Sequence, residues 1–239
     1  MTGQRDKVKG VVDLVFLIDA TGSMAPCISA LKENIGVFID SLTAGDANNA
    51  RPVKDWRGKV VGFRDYEVDD VPLVDNAFVR DAADLKAQLA ALEAAGGGDE
   101  PETLLDALHV VATMPETPKG EERPDAWRRR SEAARVVVVF TDASYKPTLL
   151  RKDVAGGTFD DVRNAIENAR IMLNVFAPDM KCYDELSQIQ RVEYEPIPGD
   201  NPQDALVQYT ADQENFRTVL SQLARTVSGS AVADLEPAQ

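Results

Sequence analysis

The chain has 239 residues, of which 44% are hydrophobic and 28% are charged, as in ordinary soluble globular proteins. Its 26 basic and 40 acidic residues give a formal net charge of -14 at pH 7. A field of this sign repels nucleic-acid phosphates and anionic lipids, so we expect neither nucleic acid nor a membrane as a partner. The excess of carboxylates suits oxygen-seeking cations such as Mg²⁺ and Ca²⁺.

Two features of the sequence predict a cytoplasmic protein. The N-terminal segment MTGQRDKVKG has no apolar stretch of signal-peptide length, and no apolar run in the chain approaches the length that spans a membrane. Cys27 and Cys182 are the only cysteines, which is too few for a disulfide framework in a chain of this length. We therefore expect two free thiols in a reducing compartment.

Strand-like and helix-like segments alternate along the chain. The strongest strand signals, VVDLVFLI (11–18) and RVVVVF (135–140), are nearly continuous apolar runs typical of strands that are buried on both faces. In chain order, the predicted elements are strand 11–18, helix 28–42, strand 59–63, edge strand 77–79, helix 84–94, helix 103–114, strand 135–140, helix 160–169, strand 171–176, helix 182–190, strand 192–194 and an amphipathic closing helix 212–227.

This alternation predicts an α/β fold with a Rossmann-like, doubly wound and mainly parallel central sheet of about six strands, covered by helices on both faces. Strand 11–18 is expected mid-sheet. We predict one domain over residues 10–228, after an N-terminal extension (1–9) and before a disordered tail (229–239). The charged segment 115–134 interrupts the pattern, and a solvated surface loop is the favoured interpretation, with a partner-docking arm as the alternative.

Acidic and hydroxyl residues gather at three junctions between predicted elements. Asp19, Thr21 and Ser23 directly follow the first strand, and Thr141 and Asp142 directly follow RVVVVF. The third group, DEPE (99–102), lies where a glycine-rich loop meets a helix. Because ligands of open parallel sheets bind beyond the carboxyl ends of the strands, these groups are candidates for one common site.

The residue types in these groups favour a hard divalent cation. A carboxylate with two hydroxyls suits Mg²⁺, Mn²⁺ or Ca²⁺ and offers no soft ligand for zinc or copper. His109 is the single histidine, which excludes a multi-histidine centre, and its place in a predicted helix favours a packing role. Each group alone has a structural explanation as a helix N-cap or a turn, but the coincidence of all three favours a site.

The three groups resemble the motifs of one family. DATGSM after VVDLVFLI resembles the metal-ion-dependent adhesion site, usually DxSxS, of von Willebrand factor A domains, and TDA (141–143) resembles the family's later aspartate loop. GGGDEPE (96–102) resembles the D-x-P-E sequence of integrin beta-subunit inserted domains, in which glutamate replaces a threonine ligand. The resemblance covers roughly residues 10–228, and the pattern is similar to bacterial stand-alone members and to the domain joined to some alpha-kinases.

Carried over residue by residue, the resemblance implies a site for Mg²⁺, or for Mn²⁺ or Ca²⁺. The implied ligands are Asp19, Thr21, Ser23, Glu102 and Asp142, with Thr103 as the alternative to Glu102. At least one coordination position would be left to water, which a Glu or Asp of a partner protein displaces. The resemblance further implies an adaptor whose partner is an AAA+ ATPase, a kinase or a phosphatase of a stress or defence module. No general base, nucleophile pair or phosphate loop is recognisable in the sequence, so we expect no enzymatic activity.

A second, flanking cation is a further implication of the integrin-like motif. Asp65 and Asp99 would form that site together with Glu102, which would bridge the two ions. The favoured alternative is that Asp65 pairs with Arg64 or another arginine nearby and that Asp99 caps the helix that begins near Glu102.

An enzyme is the competing function class. Mg²⁺-dependent phosphatases and phosphotransferases of the haloacid-dehalogenase type also place an aspartate after the first strand of an α/β sheet. Their D-x-D motif uses the second aspartate as general acid, whereas Thr21 occupies that position here. The chain also lacks a GxxxxGK[ST] phosphate loop.

Overall fold

The chain forms a six-stranded sheet in the computed structural model, which describes residues 10–44, 52–98, 100–197, 199 and 201–233. Extended backbone forms where β-branched and aromatic residues run together, because their side chains pack well on a pleated surface. The strands are β1 (Val11–Asp19), β2 (Asp55–Phe63), β3 (Leu73–Asp75), β4 (Ala134–Phe140), β5 (Ile171–Pro178) and β6 (Val192–Ile197).

The order of the strands across the sheet is β3-β2-β1-β4-β5-β6. All neighbouring pairs are parallel except β2 and β3, which are antiparallel. β1 and β4 therefore occupy the two middle positions, as expected for the two most continuously apolar segments of the chain. The prediction of a mainly parallel, doubly wound α/β sheet of six strands is confirmed.

Helices cover both faces of the sheet. Alternate side chains of β1 point to opposite faces, so Leu14 and Phe16 alternate with Val15 and Leu17 between two buried apolar clusters. The helices are α1 (Ala25–Thr43), α2 (Ala82–Ala91), α3 (Leu104–Ala112), α4 (Phe159–Ala169), α5 (Cys182–Leu186), α6 (Pro202–Ala211) and α7 (Gln213–Ala233). One cluster packs against α1, α2, α6 and α7, and the other against α3, α4 and α5.

The edge strand differs from the sequence prediction. Residues 73–75 form β3, whereas Val79 of the predicted strand 77–79 makes only an isolated bridge with Gly58. The reason lies in Asn76 and Phe78. The side-chain amide of Asn76 donates to the Val60 carbonyl (2.8 Å) next to the end of the ladder, and the buried ring of Phe78 turns inward onto the ring of Trp127, 5.3 Å away.

The C-terminal region also differs from the prediction. It contains two helices, since α6 precedes the predicted closing helix and α7 begins at Gln213 and continues to Ala233. Residues 229–233, which the sequence analysis places in the tail, are the last residues of α7. The predicted extension 1–9 and residues 234–239 lie outside the described residues. None of the helices within the described ranges is long and apolar enough to cross a membrane.

The charged segment 115–134 is anchored at the amino ends of the strands by a buried ion network. Asp13 on β1 accepts from the guanidinium of Arg57 at 2.8 and 2.7 Å and from Arg128 Nε at 2.6 Å. Trp127 of the same segment is fully buried, and its Nε1 donates to the Val111 carbonyl. The segment thus combines an anchored centre with exposed charges around Glu121, and its use as a docking arm stays a prediction.

Candidate metal centre

The candidate site lies at the carboxyl ends of the three neighbouring strands β2, β1 and β4. Asp19, the last residue of β1, is in register with Phe63 at the end of β2, and Ile18 is in register with Phe140 at the end of β4. The loops that follow these three strands consequently leave the sheet at one edge. This arrangement explains how residues far apart in the sequence become neighbours.

The Asp19 carboxylate is buried and holds the loop that follows it. Its Oδ1 accepts from the Thr21 backbone amide (2.9 Å) and from Thr21 Oγ1 (2.7 Å), while its Oδ2 accepts from Thr141 Oγ1 (2.8 Å). A short carboxylate that bonds the amide two residues on is the usual way in which Asp stabilises a tight turn. The turn directs the two loop hydroxyls toward the end of β4.

Ser23 connects the first loop to the loop after β4. Its Oγ lies 3.3 Å from Thr21 Oγ1, and its hydroxyl is near enough to the Asp142 carboxyl to lower the pKa of that group. Ser23 is exposed, whereas Thr21 and Asp142 are buried. Asp19, Thr21 and Ser23 are therefore connected by hydrogen bonds, Asp142 lies next to them, and the group has an open side toward solvent.

Glu102 reaches this group through backbone pairing that the sequence does not reveal. Its amide donates to the Ser144 carbonyl (2.8 Å), and the Lys146 amide donates to the Glu102 carbonyl (2.8 Å), so that Glu102 forms a parallel bridge with Tyr145. The Glu102 side chain is 4% exposed, and its Oε2 has no hydrogen-bond partner among the described residues. A buried carboxylate oxygen without a donor is unfavourable unless a cation or a proton compensates it.

Gly97 allows the glutamate loop to approach the first loop closely. A Cβ at Gly97 would lie 2.8 Å from the Thr21 side chain and 3.1 Å from Glu102 Oε1. The residue also has a φ of +71°, which favours glycine. Gly97 thus lies between Thr21 and Glu102 and permits both side chains to share one small volume.

The electrostatics of the group favour a positive ligand. Burial, together with the charge of Asp142, raises the pKa of Asp19 to about 6 against the hydrogen bonds from Thr21 and Thr141. Burial and the charges of Asp19, Asp65 and Asp69 raise the pKa of Glu102 to about 8. Burial also raises the pKa of Asp142. The charged form of each carboxylate is thus less stable in the protein than it would be in water. A cation bound nearby would offset this loss of stability.

Three residues that the sequence analysis considered have other roles or lie outside the described chain. Thr103 Oγ1 donates to the Arg64 carbonyl, so the Thr103 hydroxyl is engaged away from the group. Asp65 is buried and forms an ion pair with Lys146 at 2.8 Å, so the expected arginine partner is wrong and a lysine takes that place. Asp99 lies outside the described residues.

The donor set fits a hard divalent cation only when its hydroxyls are included. Within the described ranges, no group of three or more His, Cys, Asp or Glu side chains is arranged to hold a metal ion. The hydroxyls of Thr21 and Ser23 supply the additional oxygen donors between Asp19 and Asp142. Since Mg²⁺, Mn²⁺ and Ca²⁺ accept neutral oxygens together with carboxylates, the residue types fit such an ion, and their role as ligands stays a prediction.

Two residues of the site were missing from the predicted ligand set. Thr141 precedes Asp142 and directly follows a buried strand. This position predicts that its side chain lies at the carboxyl edge of the sheet, next to the other site residues. Lys146 gave no signal, because its contacts depend on the pairing of its loop with Glu102.

Comparison with curated proteins finds two relatives that match parts of the chain. A putative ariadne-like RING finger protein R811 from Acanthamoeba polyphaga mimivirus is 33% identical over 94 residues, which are 39% of this chain and 9% of that protein. The alpha-protein kinase vwkA of Dictyostelium discoideum is 26% identical over 132 residues, which are 55% of this chain and 18% of that protein. The chain therefore spans less than a fifth of either relative.

Solved structures with a similar fold include two adhesive or matrix proteins. The open conformation of the pilus adhesin SpaC from Lactobacillus rhamnosus GG has a TM-score of 0.53 at 14% identity and covers 94% of this chain and 30% of that one. Proximal thread matrix protein 1 from the mussel byssus has a TM-score of 0.55 at 15% identity and covers 92% of this chain and 47% of that one. At these identities the likeness concerns the fold alone.

The family model described as von Willebrand factor A domain matches residues 13–159, more than half of the chain. The match begins within β1 and ends at the start of α4, so it includes the loops after β1 and β4 and the Glu102 segment. The chain belongs to the von Willebrand factor A domain family.

Proposed function

We propose that this chain binds one divalent cation through Asp19, Thr21, Ser23, Glu102 and Asp142, as a metal-ion-dependent adhesion site, and uses it to grip an acidic side chain of a partner protein. The main support is Glu102 Oε2, which is buried and accepts no hydrogen bond within the described part of the chain. Its carboxylate lies close enough to Asp19 for that charge to raise its pKa. A positive ion would compensate both carboxylates.

Each proposed ligand has a distinct contribution. The hydroxyls of Thr21 and Ser23 provide neutral oxygens, Glu102 provides an unpaired carboxylate oxygen, and Asp19 orients Thr21 through its hydrogen bonds. A bound Mg²⁺ would supply positive charge and a coordination position that a partner carboxylate completes. Since three carboxylates reduce the net charge that the partner meets, we expect modest affinity that the surrounding surface supplements.

Access for a partner is supported by the exposure of the loop. Gly22 and Ser23 are exposed at one side of the group, and Glu100 is exposed on the neighbouring segment. A partner side chain can therefore approach the hydroxyl side, while Asp19 and Glu102 remain buried beneath it.

The family and one relative's name indicate which partner class to test first. Because a relative is an alpha-protein kinase, a kinase is the first partner to test, followed by an AAA+ ATPase or a phosphatase of a stress or defence module. We propose an adaptor role in the cytoplasm, with no nucleic-acid or membrane partner. The net charge of -14 supports the latter part.

We also propose that the chain has no hydrolase or kinase activity of its own. The phosphatase alternative needs an acid two residues after Asp19, where Thr21 instead donates its hydroxyl to that aspartate. Reproducible Mg²⁺-dependent turnover of a phosphoester, abolished by Asp19→Asn, would overturn this proposal and restore the phosphatase alternative.

Calorimetric titration tests the cation site. Mg²⁺, Mn²⁺ and Ca²⁺ are titrated into wild type, Asp19→Ala and the control Asp40→Ala, which alters an exposed aspartate near the far end of α1. We expect binding by wild type and by the control, and none by Asp19→Ala. Equal binding by all three proteins would refute the assignment.

Affinity capture tests the grip on a partner. Wild type and Asp19→Ala serve as bait in extract of the native cell, with and without EDTA. The proposal expects a protein that only wild type retains and that EDTA releases, and substitution of one partner Asp or Glu should abolish retention. A partner retained equally in EDTA would contradict a metal-mediated grip.

A further inference from the structure

Lys146 forms the centre of a second charged group beside the candidate metal centre. Its Nζ donates to Asp65 Oδ1 (3.0 Å) and Oδ2 (2.8 Å) and also to the Glu67 carboxylate. The lysine side chain is 13% exposed and Asp65 is 1% exposed. The lysine side chain is thus largely buried, and its contact with the buried Asp65 differs from an ordinary surface pair, whereas Glu67 is 60% exposed.

The backbone of the same lysine fixes Glu102. The Lys146 amide donates to the Glu102 carbonyl, and the Glu102 amide donates to the carbonyl of Ser144. Lys146 thus contacts the loop after β2 through its ammonium and the Glu102 segment through its amide. One residue joins three segments at the carboxyl edge of the sheet.

Two further carboxylates, Asp69 and Glu102, lie near this ion pair. Asp69 Oδ2 accepts from the amides of Asp65 and Gly97 (3.1 Å each), which places its charge between the loop after β2 and the glycine-rich loop. The charges of Asp65 and Asp69 raise the pKa of Glu102, whereas the charge of Lys146 lowers it.

Arg64 is the cation next to Asp65 in the sequence, but it directs its guanidinium elsewhere, to the carbonyls of Ala20 and Glu93. Among the described residues, Lys146 is thus the cation that pairs with Asp65 and Glu67. Glu102, whose Oε2 has no hydrogen-bond partner within the described part of the chain, lies near enough to Lys146 for the ammonium to lower its pKa, and it is a second feature that calls for positive charge.

We propose that the Lys146 ammonium occupies the place of a second, flanking cation, so that the site takes a single divalent ion while Glu102 is held in position without another metal. The inference rests on the proposed function for the first ion. A tethered ammonium offers three donors and one positive charge, which suits Asp65 and Glu67 without any coordination requirement. A metal entering between these carboxylates would have to displace it.

Removal of the ammonium should therefore create a second site. Without Lys146, the buried Asp65 would lose its countercharge, and Asp65 and Glu67 would offer carboxylate oxygens to a divalent ion. A purely structural lysine would lower thermal stability when it is replaced, but it would not increase the number of bound ions. The count of bound ions is consequently the decisive measurement.

The experiment counts bound Mn²⁺ by calorimetry and by the electron paramagnetic resonance signal of free Mn²⁺. We expect one ion for wild type, two for Lys146→Met, and one for Lys146→Arg, which retains a cation. The double variant Lys146→Met with Asp65→Asn should return to one ion. Lys152→Met, at an exposed lysine in the same region, is the matched control and should bind one.

The outcomes separate the two proposals. One ion on both wild type and Lys146→Met, or two on wild type, would overturn the role of Lys146 and leave the proposed function intact. No ion on wild type would refute the proposed function. In that case the lysine inference would survive only if Lys146→Met bound one ion and the additional Asp65→Asn substitution removed it. Any other result would refute the lysine inference as well. Circular dichroism checks folding, and Lys146→Gln, which keeps an amide donor, replaces the Met variant if that variant does not fold.

Discussion

Thr141 Oγ1 donates a 2.8 Å hydrogen bond to Asp19 Oδ2 and so joins the ends of the two central strands. With Thr21 bonded to Oδ1, both oxygens of the Asp19 carboxylate already accept hydrogen bonds within the protein. The carboxylate therefore orients the surrounding hydroxyls and contributes charge. The donors with free capacity for a cation are Ser23, which is exposed, and Glu102, whose buried Oε2 has no hydrogen-bond partner among the described residues.

Replacement of Ser23 by alanine should weaken cation binding without unfolding the chain. Ser23 contributes an exposed hydroxyl between Thr21 and Asp142, so its loss removes one neutral ligand and leaves the buried hydrogen bonds of Asp19 in place. We expect an affinity for Mn²⁺ that is lower by about tenfold, equivalent to about 1.4 kcal/mol. Calorimetry measures it, with the exposed Ser29→Ala on α1 as matched control. Equal affinities for the two variants would remove Ser23 from the ligand set.

Replacement of Gly97 by alanine should damage the site through a steric contact. Gly97 and Gly120 share a similar positive φ, +71° and +81°, but a Cβ meets the Thr21 side chain at 2.8 Å only at Gly97, whereas nothing lies within 4 Å at Gly120. Both alanine variants should therefore lose about 1 kcal/mol of unfolding free energy from backbone strain.

Only Gly97→Ala should additionally lose cation affinity, because Thr21 and Glu102 would be pushed apart. Urea denaturation and Mn²⁺ titration on the same samples separate the two effects. A Gly97 variant that binds Mn²⁺ as tightly as Gly120→Ala would show that the close approach of the loops is unnecessary for binding.

The sequence predicts the parts of this fold that depend on local pattern. β1 and β4 are continuous apolar runs, and their central positions follow because only a sheet that is covered on both faces buries such runs. The grouping of Asp19, Thr21, Ser23 and Asp142 follows in turn, since the carboxyl ends of adjacent parallel strands share one edge.

Other features depend on contacts between distant segments and were not predictable from local pattern. Lys146 pairs with Asp65 only because the loop after β4 forms a bridge with Glu102. Residues 77–79 look like a strand, but Phe78 turns inward onto a tryptophan 49 positions later in a segment that reads as a charged loop.

The buried ion network at the opposite end of the sheet should dominate the stability of segment 115–134. Asp13 is fully buried and pairs with both Arg57 and Arg128, so Asp13→Asn would leave the buried Arg57 guanidinium without its carboxylate and Arg128 with only the 40%-exposed Asp55. Breaking such a buried pair costs about 3 kcal/mol or more. Asp125→Asn, in an exposed pair with Arg123, should change the unfolding free energy by less than about 0.5 kcal/mol. Similar urea midpoints for both variants would refute the structural importance of the network.

The pH dependence of the cation-free chain has a definite sign. Asp19 and Glu102 have pKa values near 6 and 8 in the folded chain, above their ordinary values of 3.8 and 4.5. Between the ordinary and the raised value the folded chain binds more protons than the unfolded chain, so the contribution of these groups to the unfolding free energy falls as pH rises. The fall extends from about pH 4 to about pH 6 for Asp19 and to about pH 8 for Glu102.

A divalent cation takes the place of these protons, and its affinity should therefore rise with pH over the same range. Thermal unfolding in EDTA and in saturating Mg²⁺ measures the effect. The increase in Tm on adding Mg²⁺ should be small near about pH 5, where the carboxyl groups are largely protonated, and largest near about pH 9. The double variant Asp19→Asn with Glu102→Gln removes both groups, so its Tm should not respond to Mg²⁺ at either pH. The other carboxylates are the same in wild type and in this variant, so their contributions cancel when the two proteins are compared. A wild-type Mg²⁺ response of equal size at both pH values would mean that protons and the cation do not compete for Asp19 and Glu102, and the ion would then have to bind elsewhere.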